Sequence, residues 1–250
     1  LIYFGDTGRV PYGSRSRETI IKYARQDVAF LRSFQPKAIV IACGTVSTTA
    51  LEVLRQENDI PVFGVVEPAA HAAAAATRSG RIGLIGTQAT IRSGAYERTI
   101  TPLRPDARFT AQACPLFVPL VENGRFQPGD LVAETVAAEY LAPVKEAQVD
   151  TLVLGCTHYP LLKEVIGAYM GPGVTLIDVC AQCARWVSDS LARLDLLSDR
   201  PGDAPRRFFV SDNTGDFGRL ASQFLGAPVA EEVEEIEISS YPLPKCLDEA

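Results

Sequence analysis

Short apolar runs alternate with amphipathic stretches along the chain, and this alternation constrains the fold more than any other feature of the sequence. Strands that alternate with helical segments are typical of βαβ units and of a parallel sheet. Each run is mostly apolar, as expected of strands that helices cover on both faces. The eight runs are "LIYFG" (1–5), "AIVIA" (38–42), "VFGVV" (62–66), "RIGLIG" (81–86), "FTAQA" (109–113), "TLVLG" (151–155), "VTLID" (174–178) and "RFFVS" (207–211). The pattern predicts an α/β protein with mostly parallel sheets.

Two helices can be placed from the signals at their ends. Ser16 is a suitable N-cap for the first helix, Glu18 suits its positive end, and Pro36 stops it. Its apolar face consists of Ile20, Ala24, Val28 and Leu31. A late helix is predicted over 217–226, with Gly226 as its C-terminal stop. The acidic stretch 231–237 is interpreted as a solvated edge or tail.

Two segments of the sequence resemble each other, namely "AIVIACGT" (38–45) and "TLVLGCTH" (151–158). In both, an apolar run leads to a cysteine with a threonine close behind it. This similarity suggests two related α/β lobes, each with a cysteine at the carboxyl end of a strand. Ligands of open α/β sheets bind at those strand ends. Cys43 and Cys156 are therefore the candidate site residues.

Composition excludes several classes of function. The net charge of -6 and the pI near 5.1 argue against a nucleic-acid surface, which needs a basic stripe. No apolar run approaches the length of a membrane span, and "AAHAAAAAT" (69–77) is interpreted as a helix packed on a sheet. We expect no secretory signal before the first strand. The six cysteines lie largely in or beside apolar runs, which predicts a cytoplasmic protein with free thiols.

A single cysteine after an apolar run is usually a small buried hydrophobic residue, and Cys114 and Cys246 are interpreted in that way. Cys43 and Cys156 differ because they recur in matching contexts. The N–H groups of a helix that follows a strand lower the pKa of a thiol at that position. Two thiols that face each other across a cleft suit proton removal from one face of a carbon acid and proton delivery to the other. His158 is placed to assist Cys156.

Six stretches carry a resemblance to a known family, and together they cover most of the chain to about residue 178. They are "IYFGDTGRVPYGSRS" (2–16), "IVIACGT" (39–45), "GVVEPAA" (64–70), "IGLIGTQATIRSGAYE" (82–97), "QACPLFVPLVE" (112–122) and "LVLGCTHYPLL" (152–162). A weaker similarity continues through 208–226. The chain resembles the glutamate racemases of the aspartate/glutamate racemase family, cofactor-independent enzymes that supply D-glutamate for peptidoglycan in bacterial cell walls.

The resemblance implies roles for individual residues. Cys43 and Cys156 match the family's catalytic acid–base pair. The residues that match substrate-binding positions are Tyr12, Gly13, Gly44, Thr45, Thr157 and His158. Thr87 and Thr90 match lesser pocket residues. Taken without the resemblance, "VPYGS" reads as an ordinary turn, and His158 as a strand-end histidine bonded to backbone.

Two departures from the family pattern bear on activity. The family places an Asp-Ser-Gly loop upstream of "IYFGDT", where the Asp assists the first cysteine and the Ser contacts the substrate. We expect a segment of this kind before Leu1, because a chain without it is expected to be inactive. The family also usually has Cys-Asn-Thr where this chain has Cys43, Gly44 and Thr45. Gly44 keeps the backbone N–H but lacks the amide that would bind the substrate.

Three alternatives remain open from the sequence. The spacing of Cys180 and Cys183 permits a zinc or redox site, although no second pair stands at a suitable distance. An aspartate racemase would use the same thiol pair. A racemase-like binding or inhibitory protein without turnover would keep the fold and lose the reaction.

The resemblance also implies an architecture. We expect two similar three-layer lobes with mostly parallel sheets, related by a pseudo-twofold axis, with the active site in the cleft between them. The first lobe is expected to be discontinuous, from 1–67 and 176–250, and the second to span 68–175. Neither a cofactor nor a metal is expected, and glutamate is the expected small-molecule partner. Direct nucleic-acid binding and membrane association are not expected, whereas a cytoplasmic homodimer is.

Overall fold

The computed structural model describes residues 1–199, 205–229 and 232–242. Its strands are β1 (Ile2–Gly5), β2 (Ile39–Ile41), β3 (Val62–Gly64), β4 (Arg81–Gly86), β5 (Arg108–Ala113), β6 (Thr151–Leu154), β7 (Thr175–Asp178), β8 (Arg207–Val210) and β9 (Val233–Glu235). Its α-helices are α1 (Arg17–Arg32), α2 (Gly44–Thr49), α3 (Leu51–Glu57), α4 (Val66–Ala76), α5 (Gln88–Ser93), α6 (Ala95–Ile100), α7 (Phe117–Glu122), α8 (Leu131–Glu146), α9 (Lys163–Met170), α10 (Val179–Arg193) and α11 (Thr214–Leu225). Within the described ranges, every strand pair is parallel.

One sheet has four strands in the order β5-β4-β6-β7. Successive side chains of a strand point to opposite faces, so each strand contributes to two cores. Leu152 and Leu154 of β6 pack on one side of the sheet, against α7, α8 and α9. Val153, between them, packs on the other side with Ala69 of α4 and Val179 of α10. Helices thus cover both faces, which explains why these strands read as continuous apolar runs.

The remaining strands form two smaller sheets, one with the order β1-β8-β9 and one consisting of β2 and β3. Helix α1 contributes to two of the cores around them. Its residues Ile20 and Ala24 pack with Ile39 of β2, and Phe30 packs with Phe209 of β8. Because α1 touches both sheets, it holds them together without hydrogen bonds between their strands.

All eight apolar runs contain a strand, as the sequence predicts. The last two residues of "VFGVV" differ, because Val65 is the N-cap of α4 and Val66 already belongs to that helix. Helix α1 is capped as expected, since the Ser16 side chain accepts a hydrogen bond from the Thr19 N–H. Helix α11 ends before Gly226, whose φ of 65° is the left-handed conformation that favours glycine.

The sequence predicts a solvated edge or tail for the acidic stretch 231–237. Of its described residues, Val233–Glu235 form the edge strand β9, which pairs with β8. The "AAHAAAAAT" segment lies in α4 and at its C-cap, and α4 packs on the four-stranded sheet. No helix in the described part of the chain is long and apolar enough to cross a membrane.

Candidate active site

The two repeated segments place a cysteine just after a strand, as predicted. Strand β2 ends at Ile41, and Cys43 is the N-cap of α2. Strand β6 ends at Leu154, and Cys156 follows two residues later. The two segments then differ. The chain after Cys156 forms a single turn of 3-10 helix over Tyr159–Leu162 before α9 begins, so only Cys43 lies directly at the start of an α-helix.

The loops that carry these cysteines touch each other. A Cβ atom built on Gly44 would lie 2.6 Å from the carbonyl oxygen of Gly155 and 3.9 Å from the Cα atom of Cys156. A second contact links the same regions, because the Thr45 and Thr87 hydroxyl oxygens lie 2.9 Å apart. The carboxyl ends of β2, β4 and β6 therefore meet at one place, although they belong to two separate sheets.

Cys43 is accessible to solvent, whereas Cys156 is 7% exposed. Neighbouring protein atoms nevertheless displace part of the bulk water around the Cys43 thiol, and this desolvation raises its pKa. The backbone N–H groups of Val46 and Thr45 face the sulfur and lower the pKa in turn. The sequence predicts that helical N–H groups favour the thiolate, and they do, but burial outweighs them.

Burial likewise raises the pKa of Cys156 to about 12, against the lowering effect of the His158 N–H. A negative charge on Cys43 raises the Cys156 pKa further. Because the two thiols repel as anions, ionisation of one disfavours ionisation of the other. The arrangement therefore favours at most one thiolate at a time.

His158 joins Cys156 to a carboxylate. Its Nε2 lies 3.1 Å from Glu122 Oε1, and its Nδ1 lies 3.8 Å from the Cys156 sulfur. Since a carboxylate only accepts hydrogen bonds, Nε2 is the nitrogen that donates to Glu122, and in the neutral imidazole Nδ1 is then the acceptor that faces the thiol. The Thr157 hydroxyl lies 3.5 Å from the same Nδ1. The histidine is therefore not simply bonded to backbone at a strand end.

Sequence reasoning did not assign a role to Glu122. The residue ends α7 and is 36 positions from His158, so no local spacing connects the two. Its only signal in the sequence is its place at the end of the stretch "QACPLFVPLVE", which carries part of the family resemblance.

Tyr12 and Gly13 lie in a short 3-10 turn, Tyr12–Ser14. The Tyr12 side chain is buried, and its hydroxyl donates a hydrogen bond to Asp6. Gly13 faces the other sheet, because a Cβ built on it would lie 3.0 Å from Thr87 Cβ. The turn thus lies where the loops of the two sheets meet. The hydrogen bond to Asp6 holds the Tyr12 side chain in place.

Thr87 and Thr90 have mainly local roles. The Thr87 hydroxyl caps α5 by accepting a hydrogen bond from the Thr90 N–H. Thr90 is fully buried, with its hydroxyl 3.1 Å from that of Thr87. The Thr87 hydroxyl also reaches the first region, where it lies 2.9 Å from the Thr45 hydroxyl.

Helix α11 covers the His158 side of the site. The Phe224 ring meets the imidazole of His158 edge-on, with ring centroids 5.5 Å apart. One turn earlier on the helix, Arg219 Nη1 donates a hydrogen bond to the carbonyl oxygen of Glu122 at 3.3 Å. A helix that follows β8 thereby reaches both members of the histidine–carboxylate pair.

Cys180 and Cys183 lie in the first turn and a half of α10. The Cys183 thiol is buried and contacts the Gly64 carbonyl oxygen at 3.8 Å. In the described ranges, no group of three or more His, Cys, Asp or Glu side chains is arranged to hold a metal ion. Cys114 is fully buried, as interpreted from the sequence, and Cys246 lies outside the described residues.

Known proteins are similar to this chain in sequence and in fold. The profile of the family described as Asp/Glu/Hydantoin racemase matches residues 2–186. A glutamate racemase from Geobacter metallireducens is 48% identical to this chain over 230 residues, which cover 92% of this chain and 84% of that protein. The crystal structure of a glutamate racemase isoform from Bacillus anthracis matches with a TM-score of 0.88 at 35% identity, covering 94% of this chain and 86% of that one.

A second solved structure, glutamate racemase from Francisella tularensis in complex with D-glutamate, matches with a TM-score of 0.87 at 34% identity. The match covers 96% of this chain and 88% of that one. Both sequence and fold thus agree over nearly the full length of the chain. The protein belongs to the Asp/Glu/hydantoin racemase family.

Proposed function

We propose that this chain interconverts L- and D-glutamate by proton transfer at the α-carbon, with Cys43 and Cys156 as the two acid–base groups. The observation that carries this proposal is the contact between the two cysteine-bearing loops, made by Gly44 and Gly155. Two proton-transfer groups from two separate sheets are thereby brought to one place. Such an arrangement suits racemisation through a planar carbanion, because the proton can leave one face of the carbon while another arrives at the opposite face.

The proposed reaction balances without a cofactor. One cysteine, as thiolate, takes the α-proton, so that the Cα–H bond breaks and an S–H bond forms. The electron pair is delocalised into the α-carboxylate. The other cysteine donates its thiol proton to the opposite face, which forms the new Cα–H bond and leaves a thiolate there. The two thiols exchange roles in each turnover, and the reverse reaction uses the same steps.

The raised pKa values of both thiols fit this scheme. A thiol with a high pKa is a strong base once ionised, which suits removal of a weakly acidic α-proton. The positive ammonium group of a bound amino acid would favour the thiolate beside it. His158 offers Cys156 a proton acceptor through Nδ1, and Glu122 orients the imidazole.

We assign the holding of substrate to backbone N–H groups and hydroxyls at the meeting point of the strand ends. The residues proposed for this role are Tyr12, Gly13, Gly44, Thr45, Thr157 and His158. Support comes from their positions: Gly13 and Thr45 both contact Thr87 from the other region, and Thr157 is bonded to His158. Such groups bind carboxylates without a buried lysine or arginine.

The proposal extends to the division of the chain into lobes, its oligomeric state and its cellular role. The division into lobes 1–67 plus 176–250 and 68–175 is supported by the separation of β1, β2 and β3 from the four-stranded sheet. The boundary at 176 falls within β7, whereas β7 pairs with β6 and α10 packs on the same sheet, so these contacts favour a second crossing after α10. We also propose that the enzyme is a cytoplasmic homodimer that supplies D-glutamate for peptidoglycan.

The experiment is to incubate the protein with L-glutamate in D2O and to follow optical rotation together with loss of the α-proton signal. We expect both to change with glutamate, and neither with Cys43→Ser or Cys156→Ser protein. Turnover of aspartate alone would favour an aspartate racemase. A folded protein that binds glutamate and turns over neither amino acid would favour a binding protein, and normal turnover by either variant would refute the two-thiol assignment.

A further inference from the structure

A compact cluster of charged and polar side chains anchors the turn that carries Tyr12 and Gly13. Arg9 Nε donates hydrogen bonds to both carboxylate oxygens of Asp6 at 2.8 Å. Arg9 Nη2 donates to Asp27 Oδ1 at 2.6 Å. The side chains of Arg9, Asp6 and Asp27 are 16%, 8% and 20% exposed, so water screens these interactions weakly.

Tyr12, which belongs to the turn itself, completes the cluster through its hydroxyl group. Its hydroxyl donates to Asp6 Oδ2 and lies 3.3 Å from Asp27 Oδ2. The cluster therefore connects α1, through Asp27, to the residue whose backbone begins the proposed substrate-binding turn. Ser211, after β8, donates a further hydrogen bond to Asp6 Oδ1 at 2.8 Å.

The charges of the cluster do not balance if both carboxyl groups ionise. Asp6 takes two hydrogen bonds from Arg9 and pairs with its charge, so a second carboxylate would leave an unpaired negative charge. Burial and the charge of Asp6 raise the pKa of Asp27 to about 8, although Arg9 acts in the opposite direction. Charge balance in the cluster and the raised pKa of Asp27 both favour its protonated form.

The geometry indicates where that proton lies. Asp27 Oδ1 accepts from Arg9, which leaves Oδ2 to carry the proton. An O–H on Oδ2 can donate to the Tyr12 oxygen 3.3 Å away, and the Tyr12 hydroxyl in turn donates to Asp6. The positive charge of Arg9 then balances the negative charge of Asp6. The protonated Asp27 carboxyl and the Tyr12 hydroxyl are neutral and donate the remaining hydrogen bonds.

Asp27 also acts on the proposed catalytic thiol. A negative charge on Asp27 raises the pKa of Cys43 and so opposes formation of its thiolate. The titratable and charged groups around Asp27, on its own helix and on the elements packed against it, are Asp6, Arg9, Tyr12, Tyr23 and Cys43.

We propose that neutral Asp27 is a positioning residue for this enzyme: by bridging Arg9 and Tyr12 it fixes the turn at Tyr12 and Gly13 for a substrate carboxylate, and its ionisation weakens substrate binding. The inference rests on the proposed function, since it concerns the same site. Asp27 itself need not touch the substrate, because it acts through the Tyr12 side chain on the turn proposed to hold the substrate carboxylate. Asp27 affects substrate binding through the conformation of the turn at Tyr12 and Gly13, and through its own charge near that turn.

Two substitutions separate the parts of this proposal. Asp27→Asn has the shape of the neutral acid, because its amide oxygen can accept from Arg9 while its NH2 donates to Tyr12. Asp27→Leu fills similar space and removes both hydrogen bonds. Asp59→Asn is the matched control, because Asp59 is 78% exposed and pairs only with Arg32 in the described structure.

The measurements are kcat and KM for L-glutamate at pH 7 and pH 9, and the glutamate Kd from calorimetry. At pH 7 we expect Asp27→Asn to keep KM within about two-fold of the unsubstituted protein, and Asp27→Leu to raise KM about ten-fold with a smaller change in kcat. Between pH 7 and pH 9, KM of the unsubstituted protein should rise about five-fold more than that of Asp27→Asn. Asp59→Asn should follow the unsubstituted protein.

An Asp27→Leu protein with unchanged KM and Kd, or an Asp27→Asn protein with the same pH dependence as the unsubstituted enzyme, would overturn the inference. If Asp27→Leu does not fold, the pH comparison with Asp27→Asn decides alone. Failure of the unsubstituted protein to turn over glutamate would overturn the proposed function and this inference together. Normal turnover with unaffected Asp27 variants would overturn this inference only.

Discussion

The carbonyl oxygen of Gly155 occupies the space that a side chain at Gly44 would need, since a Cβ on Gly44 would lie 2.6 Å from it. Both partners of this contact are backbone, so neither can rotate away. The residue next to each glycine is one of the two proposed catalytic cysteines. With the backbone in this arrangement, a side chain at position 44 would require one of the two cysteine-bearing loops to shift.

We expect Gly44→Ala to force the two loops apart and to lower kcat/KM for glutamate at least about ten-fold, because small misplacements of reacting groups are costly. Gly173→Ala is the matched control, since no atom lies within 4 Å of a Cβ at that position. Steady-state kinetics and thermal melting of both proteins measure the effect. Unchanged kcat/KM in Gly44→Ala would show that the contact does not set the distance between the thiols.

Glu122 is expected to act on one thiol only. Loss of its charge in Glu122→Gln should make His158 a weaker proton acceptor and slow proton transfer at Cys156. The primary deuterium isotope effect on kcat/KM, measured with 2-deuterated L- and D-glutamate, should rise for the enantiomer whose proton Cys156 removes and not for the other. Glu134→Gln, at an exposed position of α8, is the control. Equal isotope effects in both directions would mean that Glu122 does not serve Cys156 specifically.

Helix α11 is expected to steady the imidazole of His158 through Phe224. Aromatic contacts of this geometry contribute about 0.5–1.5 kcal/mol, so Phe224→Ala should lower kcat by about two- to ten-fold. Leu225→Ala, at the next and more exposed position, should leave kcat unchanged. If the two variants behave alike, the contact between Phe224 and His158 has no part in turnover.

Much of this architecture could be predicted from the sequence. All eight apolar runs contain strands because a strand covered on both faces has to be apolar throughout, and the Ser16 cap and the Gly226 stop are local signals. The pairing of Glu122 with His158 and that of Asp27 with Arg9 could not be predicted. Each joins residues that are distant in the chain, and their contact depends on how helices pack on the sheets.

The effect of burial on the thiols also required the structure. The sequence shows that Cys43 precedes helical N–H groups, which lower the pKa, but it does not show how closely protein surrounds the sulfur. In the structure that second effect is larger. A similar limit applies to Gly44, which the sequence marks as a departure from the family, while its close approach to the Gly155 carbonyl oxygen is visible only in the structure.

Asp150 is expected to stabilise the fold rather than the reaction. Its carboxylate accepts hydrogen bonds from the Thr77 hydroxyl at 2.6 Å and from the N–H groups of Arg78 and Ser79 at 2.9 and 2.6 Å. Although burial opposes ionisation, these bonds hold the pKa of Asp150 below its usual range.

Because the folded-state pKa is depressed, this stabilisation is present above the unfolded-state value of about 4 and is lost as the pH falls through the folded-state value. Asp150→Ala should therefore cost about 2 kcal/mol of unfolding free energy at pH 7 and less at pH 3. Urea denaturation at both pH values measures the difference. A deficit that is equal at the two pH values would contradict the ionic origin of the effect.

The central claim is that a separate thiol serves each face of the substrate carbon. Its most direct test is the early time course of L-glutamate conversion in D2O, with the α-position of both enantiomers followed by mass spectrometry after chiral separation. We predict that the D-glutamate formed carries deuterium while the remaining L-glutamate keeps its proton. Deuterium appearing in L-glutamate as fast as in D-glutamate would instead indicate one base that exchanges with solvent and serves both faces.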